Sequence, residues 1–239
     1  MAFTYGADVL YRWTITQKWK LGILDRSVEP LAVHDSIADL KESDLIRQIL
    51  ADEHWRQRLI GLHGIPDDSE LYPEVSLEGL ERLEGDIDLL LVPPGKPEYS
   101  TAIQVKRVKV SESSFATDAP NKLAELKKLK QQANPLDHVG FWQVYCFVLV
   151  AVDSRSHNAG VFTYAGLTPS LRAKIDDAIS LQSLSDRVGL IHYEFVQPID
   201  GRPLGAGTYF ARPKRIAKPM PQPSMVTEWV RQAVLRKNA

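Results

Sequence analysis

The sequence predicts a mixed α/β fold, and three observations predict it. An amphipathic helical stretch precedes three short strand-like runs, a second helical stretch follows, and VYCFVLVAV at 144–152 reads as a strand buried on both faces. The implied order is helix, strand, strand, strand, helix, strand, with further segments at either end.

The first 40 residues do not choose a structure. TYGADVLYRWTITQKWKLGIL mixes aromatic and β-branched residues with lysines and suits a strand pair or an irregular helix equally. SDLIRQILADEHWRQRLI is clearer, with Ser43 as a cap, no Gly or Pro, and Ile46, Ile49, Leu50 and Ile60 as its apolar positions. Glu53, seven residues after Ile46 and four after Ile49, falls on that same stripe instead of facing water.

In LYPEVSLEGL, Val75 and Leu77 alternate with Glu74, Ser76 and Glu78, the period of a strand with one wet face. Residues 86–92 and 102–110 form two apolar runs joined by the turn-forming PPGKPEYS, and read as adjacent strands. APNKLAELKKLKQQA predicts a helix over about 119–133, with Pro120 in its first turn and Leu123, Leu126 and Leu129 as its stripe. The buried strand FWQVYCFVLVAVDS comes next. Further on, LTPSLRAKIDDAISLQSL looks helical, VGLIHYEFVQP predicts another strand and MVTEWVRQAVLRKN a closing helix. The Pro- and Gly-rich GRPLGAGTYFARPKRIAKPMPQPS between them reads as a loop or extended arm.

Composition narrows the class. At 239 residues, with 44% hydrophobic and 25% charged, the chain suits one globular domain with appendages, not a disordered or coiled-coil protein. Its nine-residue apolar run falls far short of the roughly 20 residues needed to cross a bilayer. The N-terminus lacks the basic lead-in of a secretory signal, and the single Cys146 excludes internal disulfides and CxxC metal pairs, so a cytoplasmic protein without membrane contact is expected. Charge is divided along the chain: ten Lys+Arg face nineteen Asp+Glu in residues 1–100, and nineteen face eleven in residues 101–239. Such a division suits a protein that sets carboxylates beside a polyanion, and equally suits two parts that attract each other.

The chemistry centres on GDIDLLLVPPGKPEYSTAIQVKR at 85–107. Residues two apart in a strand share a face, so Asp86 pairs with Asp88, and Gln104 with Lys106. If the two strands pair, Asp88, Gln104 and Lys106 converge, and Glu53 can reach them from the preceding helix. Oxygen donors of this kind suit a hard cation such as Mg²⁺ or Mn²⁺, and a neighbouring lysine can orient water or offset phosphate charge. The alternative is structural: acids at a strand edge meeting water or backbone donors, and cations guarding an edge.

This motif pair, GDIDLLL followed by IQVKR, resembles that of the PD-(D/E)xK nucleases, the restriction-endonuclease-like superfamily, whose core runs in the order predicted above. It is similar to the resolvase-like branch in its acid-Ile-Asp triplet, and to type IV restriction nucleases in the glutamine before the lysine. The resemblance covers about residues 42–152, leaving an N-terminal extension, 1–41, and a C-terminal extension, 153–239. It implies that Asp88 is the metal-binding aspartate, Gln104 the variable ligand, Lys106 the catalytic lysine and the Val105 carbonyl a further ligand. Glu53 is the expected helix acid, with Asp44, Asp52 and Glu74 as alternatives. Gln104 departs from the usual acid and carries one less negative charge.

Nucleic-acid contacts are expected from Arg107, from Lys127, Lys128 and Gln131 on the lysine-rich helix, and from Arg212, Lys214, Arg215 and Lys218 beside Tyr209 and Phe210. No HExxH, GxSxG or GxxxxGK[ST] pattern occurs. The expected function is metal-dependent hydrolysis of DNA by an endonuclease or DNase, with RNA as the other substrate class and a homodimer compatible with cutting both strands. The alternative is an inactive nuclease-fold module that binds nucleic acid or a protein partner.

Overall fold

The computed structural model describes residues 36–51, 56, 59, 61, 65–66, 68–80, 83–154, 166–179, 184–197 and 208–238. The predicted Glu53 and Asp52, and the undecided first 35 residues, lie outside them.

The described chain is a mixed α/β structure on one six-stranded sheet. Its strands are β1 (Glu70–Ser76), β2 (Asp86–Val92), β3 (Thr101–Val110), β4 (Gln143–Val152), β5 (Gly189–Val196) and β6 (Thr208–Arg215), and they lie side by side in sequence order. β1, β2 and β3 form an antiparallel meander; β3, β4 and β5 run parallel; β6 returns antiparallel to β5. The helices are α1 (Glu42–Ala51), α2 (Glu112–Thr117), α3 (Leu129–Val139), α4 (Pro169–Ala178) and α5 (Ser224–Asn238). The predicted order of α1, three strands, helix and strand is therefore present.

Every residue of β4 and β5 is buried, as parallel strands covered on both faces should be. On one face, Leu129 and Leu136 of α3, Leu171 and Ile175 of α4, and Val226 and Val230 of α5 pack on Ala102, Val108, Cys146, Val148 and Leu190. On the other, Ile37, Leu45 and Ile49 pack on Ile103, Val105, Tyr145, Phe147 and Tyr193. A hydrogen bond from Ile37 N–H to Gln197 Oε1, 2.8 Å across 160 residues, ties the segment before α1 to the end of β5. Among the described residues, no helix is long and apolar enough to cross a membrane.

Two predicted elements differ. The single helix expected over 119–133 is a 3-10 helix, Leu123–Lys128, followed by α3, which continues through Pro135. Pro135 forfeits a helical hydrogen bond, but Ala133, Leu136 and Val139 are buried on one stripe, and that burial outweighs the penalty. Gly140 then caps α3 at φ 100°, where an added Cβ would lie 2.9 Å from the Pro223 ring. The arm expected from the Pro- and Gly-rich stretch is, over Thr208–Arg215, strand β6. Local composition suggested a loop, whereas the open edge of β5 supplies a hydrogen-bonding ladder that only the assembled sheet reveals.

Candidate active site where β2 leaves β3

The β2–β3 ladder is short. It pairs Leu91 with Thr101, Leu90 with Ala102 and Leu89 with Ile103, and stops, although β3 runs on to Val110 beside β4. The cause lies in β2 and β1. Ile87 and Leu90 join the apolar cluster on one face, and Leu89 and Leu91 join the other, so the period-two alternation slips between Ile87 and Leu89, at Asp88. On the neighbouring strand, Glu74 sits between the pairs Pro73–Leu89 and Val75–Ile87 at φ 50°, a strained conformation for a non-glycine residue. The sheet opens at that point.

Side chains satisfy the edge of β3 that β2 leaves bare. Val105 N–H donates to Asp88 Oδ2 at 2.6 Å, and Arg107 N–H donates to Glu42 Oε2 at 2.6 Å. Lys109 exchanges main-chain hydrogen bonds with Asn121, 2.9 and 3.3 Å. Across the gap, Gln104 Nε2 donates to the Asp86 carbonyl at 3.0 Å, while within β3 Lys106 Nζ donates to the Val105 carbonyl at 2.8 Å. Asp88, Gln104 and Lys106 are thus brought together, with Asp86 contributing its backbone.

Glu42 is the acid that sequence reasoning missed. It opens α1, its Oε1 lies 3.7 Å from Lys106 Nζ, and it is close enough to Asp88 to discourage that residue's ionisation. The sequence carried a faint signal, an acid at the first turn, but that position ordinarily reads as a partner for the helix dipole. The alternatives lie elsewhere: Asp44 pairs with Arg47 at 3.2 Å, and Glu74 is exposed on β1.

Burial pushes the Asp88 carboxyl up to about 6, with Glu42 and Asp86 adding to the effect and the Val105 amide and Lys106 opposing it. Gln104 is 1% exposed; its amide is oriented by Asp86, and its Oε1 is buried with no hydrogen-bond partner. A buried amide oxygen without a donor is costly, and a bound cation or water would relieve the cost. Asp88, Gln104, the Val105 carbonyl and Glu42 offer hard oxygens of the kind Mg²⁺ or Mn²⁺ takes, so the donor chemistry fits such an ion. Among the described residues, no group of three or more His, Cys, Asp or Glu side chains forms a metal cluster, so this fit depends on the amide and main-chain oxygens.

The expected nucleic-acid residues divide. Lys127 and Gln131 are exposed, and Lys128 pairs with Glu125 at 2.7 Å. The 3-10 helix Leu123–Lys128 packs against β3, and its Glu125, which the Lys128 hydrogen bond holds below the usual carboxylate range, also feels the Lys106 charge. Arg107 is 5% exposed, its Nε and Nη1 lack partners, and burial lowers its pKa. The cations in and after β6 are engaged within the fold. Arg212 lies 3.4 Å from Glu194, Lys214 is 2.7 Å from Asp176, Arg215 donates to the Val188 and Ser185 carbonyls at 2.6 Å, and Lys218 pairs with Asp186 at 3.0 Å.

No protein-family model matches the chain, and no curated protein matches it. Among solved structures it has a weak likeness to SfsA of Pyrococcus furiosus, solved in complex with Ca²⁺, at 11% identity and a TM-score of 0.31. The likeness covers 72% of this chain and 64% of that one, so the chain spans less than two thirds of that protein's length.

Proposed function

We propose that this chain is a metal-dependent nuclease that hydrolyses phosphodiester bonds of DNA at the opening between β2 and β3. The observation that carries the reading is the unpartnered Gln104 Oε1, buried beside Asp88 and Lys106 on strands that have parted.

In this reading Asp88, Gln104, the Val105 carbonyl and Glu42 would hold Mg²⁺ or Mn²⁺. The ion, when bound, supplies an activated water and offsets charge on the phosphate. Asp86 engages the Gln104 amide nitrogen, which leaves the amide oxygen as the donor atom for the ion. Lys106 brings positive charge to the phosphate oxygens as they become more negative. The exposed Lys127 and Gln131 on the bordering segment meet the substrate backbone, and Lys122 and Lys130 extend that cationic ridge. In this reading Glu42, 3.7 Å from Lys106, serves as a helix acid, while Glu53 lies outside the described residues.

The test is cleavage of plasmid, linear duplex, single-stranded DNA and RNA by purified protein with Mg²⁺ or Mn²⁺. Cleavage that Asp88→Asn and Lys106→Ala each abolish supports the reading; no cleavage of any form, or cleavage indifferent to Lys106→Ala, overturns it.

One observation favours a second reading, a catalytically inactive module of the same fold that binds nucleic acid or a protein. Asp88 and Glu42 each satisfy a β3 amide, a structural duty sufficient to account for both acids. Absence of Mg²⁺ and Mn²⁺ affinity in calorimetry, together with salt-sensitive DNA binding, selects this alternative.

A further inference from the structure

We infer that Lys106 is the resident cation of this site: its ammonium holds the Val105 carbonyl and Glu42 together, and a divalent ion gains those oxygens by displacing it. The inference rests on the metal-dependent reading above.

Two contacts carry it. Lys106 Nζ lies 2.8 Å from the Val105 carbonyl oxygen, which belongs to the proposed donor set. It lies 3.7 Å from Glu42 Oε1, a second member of that set. The Lys106 side chain is only 12% exposed, so these oxygens replace most of the water its charge would otherwise hold.

An ammonium and a divalent ion on one carbonyl oxygen repel each other strongly in a poorly solvated site, so sharing it is unfavourable although the oxygen has two lone pairs. Lys106 must therefore give up the carbonyl as the divalent ion binds. The 3-10 helix carrying Glu125, with Lys122 and Lys128 around it, packs against β3, the strand that carries Lys106. Released toward that rim, Lys106 faces the side from which a phosphate backbone would approach. One ion-binding event then completes the oxygen cage and frees the lysine for substrate.

The consequence runs against ordinary expectation for a site residue: removing this lysine strengthens metal binding. Mn²⁺ binding to the full chain, read by calorimetry and by the paramagnetic signal of free Mn²⁺, should be roughly tenfold or more tighter in Lys106→Met, a gain of about 1.4 kcal/mol per factor of ten. Lys106→Arg, which keeps the charge, should bind no tighter than the native chain. Unchanged or weaker binding by folded Lys106→Met overturns the inference and leaves the nuclease reading standing. No Mn²⁺ binding by any of the three proteins overturns both. A second measurement covers a Lys106→Met chain that fails to fold: in the native chain, Mg²⁺ titration should shift the Val105 carbonyl carbon and the Lys106 ammonium resonances together. A Lys106 ammonium still bonded to that carbonyl at Mg²⁺ saturation overturns the inference.

Discussion

Glu42 Oε2 accepts the Arg107 main-chain N–H at 2.6 Å, joining the first residue of α1 to the freed edge of β3 across 65 residues of sequence. The same carboxylate faces Lys106, so one side chain both closes a backbone ladder and borders the opening between β2 and β3. These duties separate by substitution. Glu42→Ala leaves the Arg107 amide without its acceptor and should lower stability by about 1–3 kcal/mol. Glu42→Gln keeps an acceptor and should nearly preserve the melting temperature, yet reduce Mn²⁺ affinity and cleavage by about tenfold or more, read by calorimetry and plasmid nicking.

Asp88 should make stability depend on pH. Its carboxyl rises from 3.8 to about 6 in the fold, so the folded chain holds a proton that the unfolded chain has released. Stability therefore falls as pH rises from about 4 to about 6, and ionised Asp88 costs about 3 kcal/mol at pH 7. Asp88→Asn removes that cost and still offers an oxygen to Val105 N–H. Urea denaturation should find it more stable than the native chain at pH 7.5 and equal to it below pH 4, while Mn²⁺ binding is lost. Native metal affinity should climb through pH 6, since the ionised carboxylate is the better ligand.

Gln104→Glu tests whether the neutral amide limits metal binding. An acid at this buried position loses the Nε2 bond to Asp86 and adds a charge beside Asp88. Without divalent ions its stability at pH 7.5 should fall by about 2–4 kcal/mol. Saturating Mn²⁺ should recover much of that loss and bind more tightly than in the native chain, seen as a larger metal-dependent rise in melting temperature.

The lysine ridge is testable through salt. Replacing Lys127 and Lys130 with Gln should weaken duplex binding uniformly across sequences. It should also reduce the slope of log affinity against log salt by about one for each phosphate contact removed. An unchanged slope would return these lysines to the role of a solvated face.

Buried charge on β5 gives a stability prediction remote from the site. Glu194 is fully buried, accepts Arg172 Nε and Nη2 at 3.0 and 3.2 Å, and lies 3.8 Å from His192 Nε2. Burial opposes the ionisation of Asp176, but hydrogen bonds from His192 and Lys214 prevail and hold its carboxyl at about 2. Glu194→Ala strands the Arg172 charge and should cost about 3–5 kcal/mol in chemical denaturation.

The sequence by itself determined the strand character of 86–92, 102–110, 144–152 and 189–196, because apolar period and turn residues act over a few positions and need no distant partner. It also determined that Gln104 and Lys106 share a face, which follows from strand geometry alone. Tertiary structure decided the rest of the site. That β2 parts from β3 after Leu89 depends on a slip in alternation and a strained Glu74 on a third strand. That Glu42, the first residue of α1, meets Lys106 depends on how α1 docks against the sheet. The fate of the basic stretch 208–218 was likewise hidden, because its cations find acids on α4, on β5 and in the turn before it, and Arg215 finds main-chain carbonyls there. Hydrogen-bond and charge satisfaction is a property of the assembled neighbourhood, and composition along the chain does not encode which edge, or which acid, will be waiting.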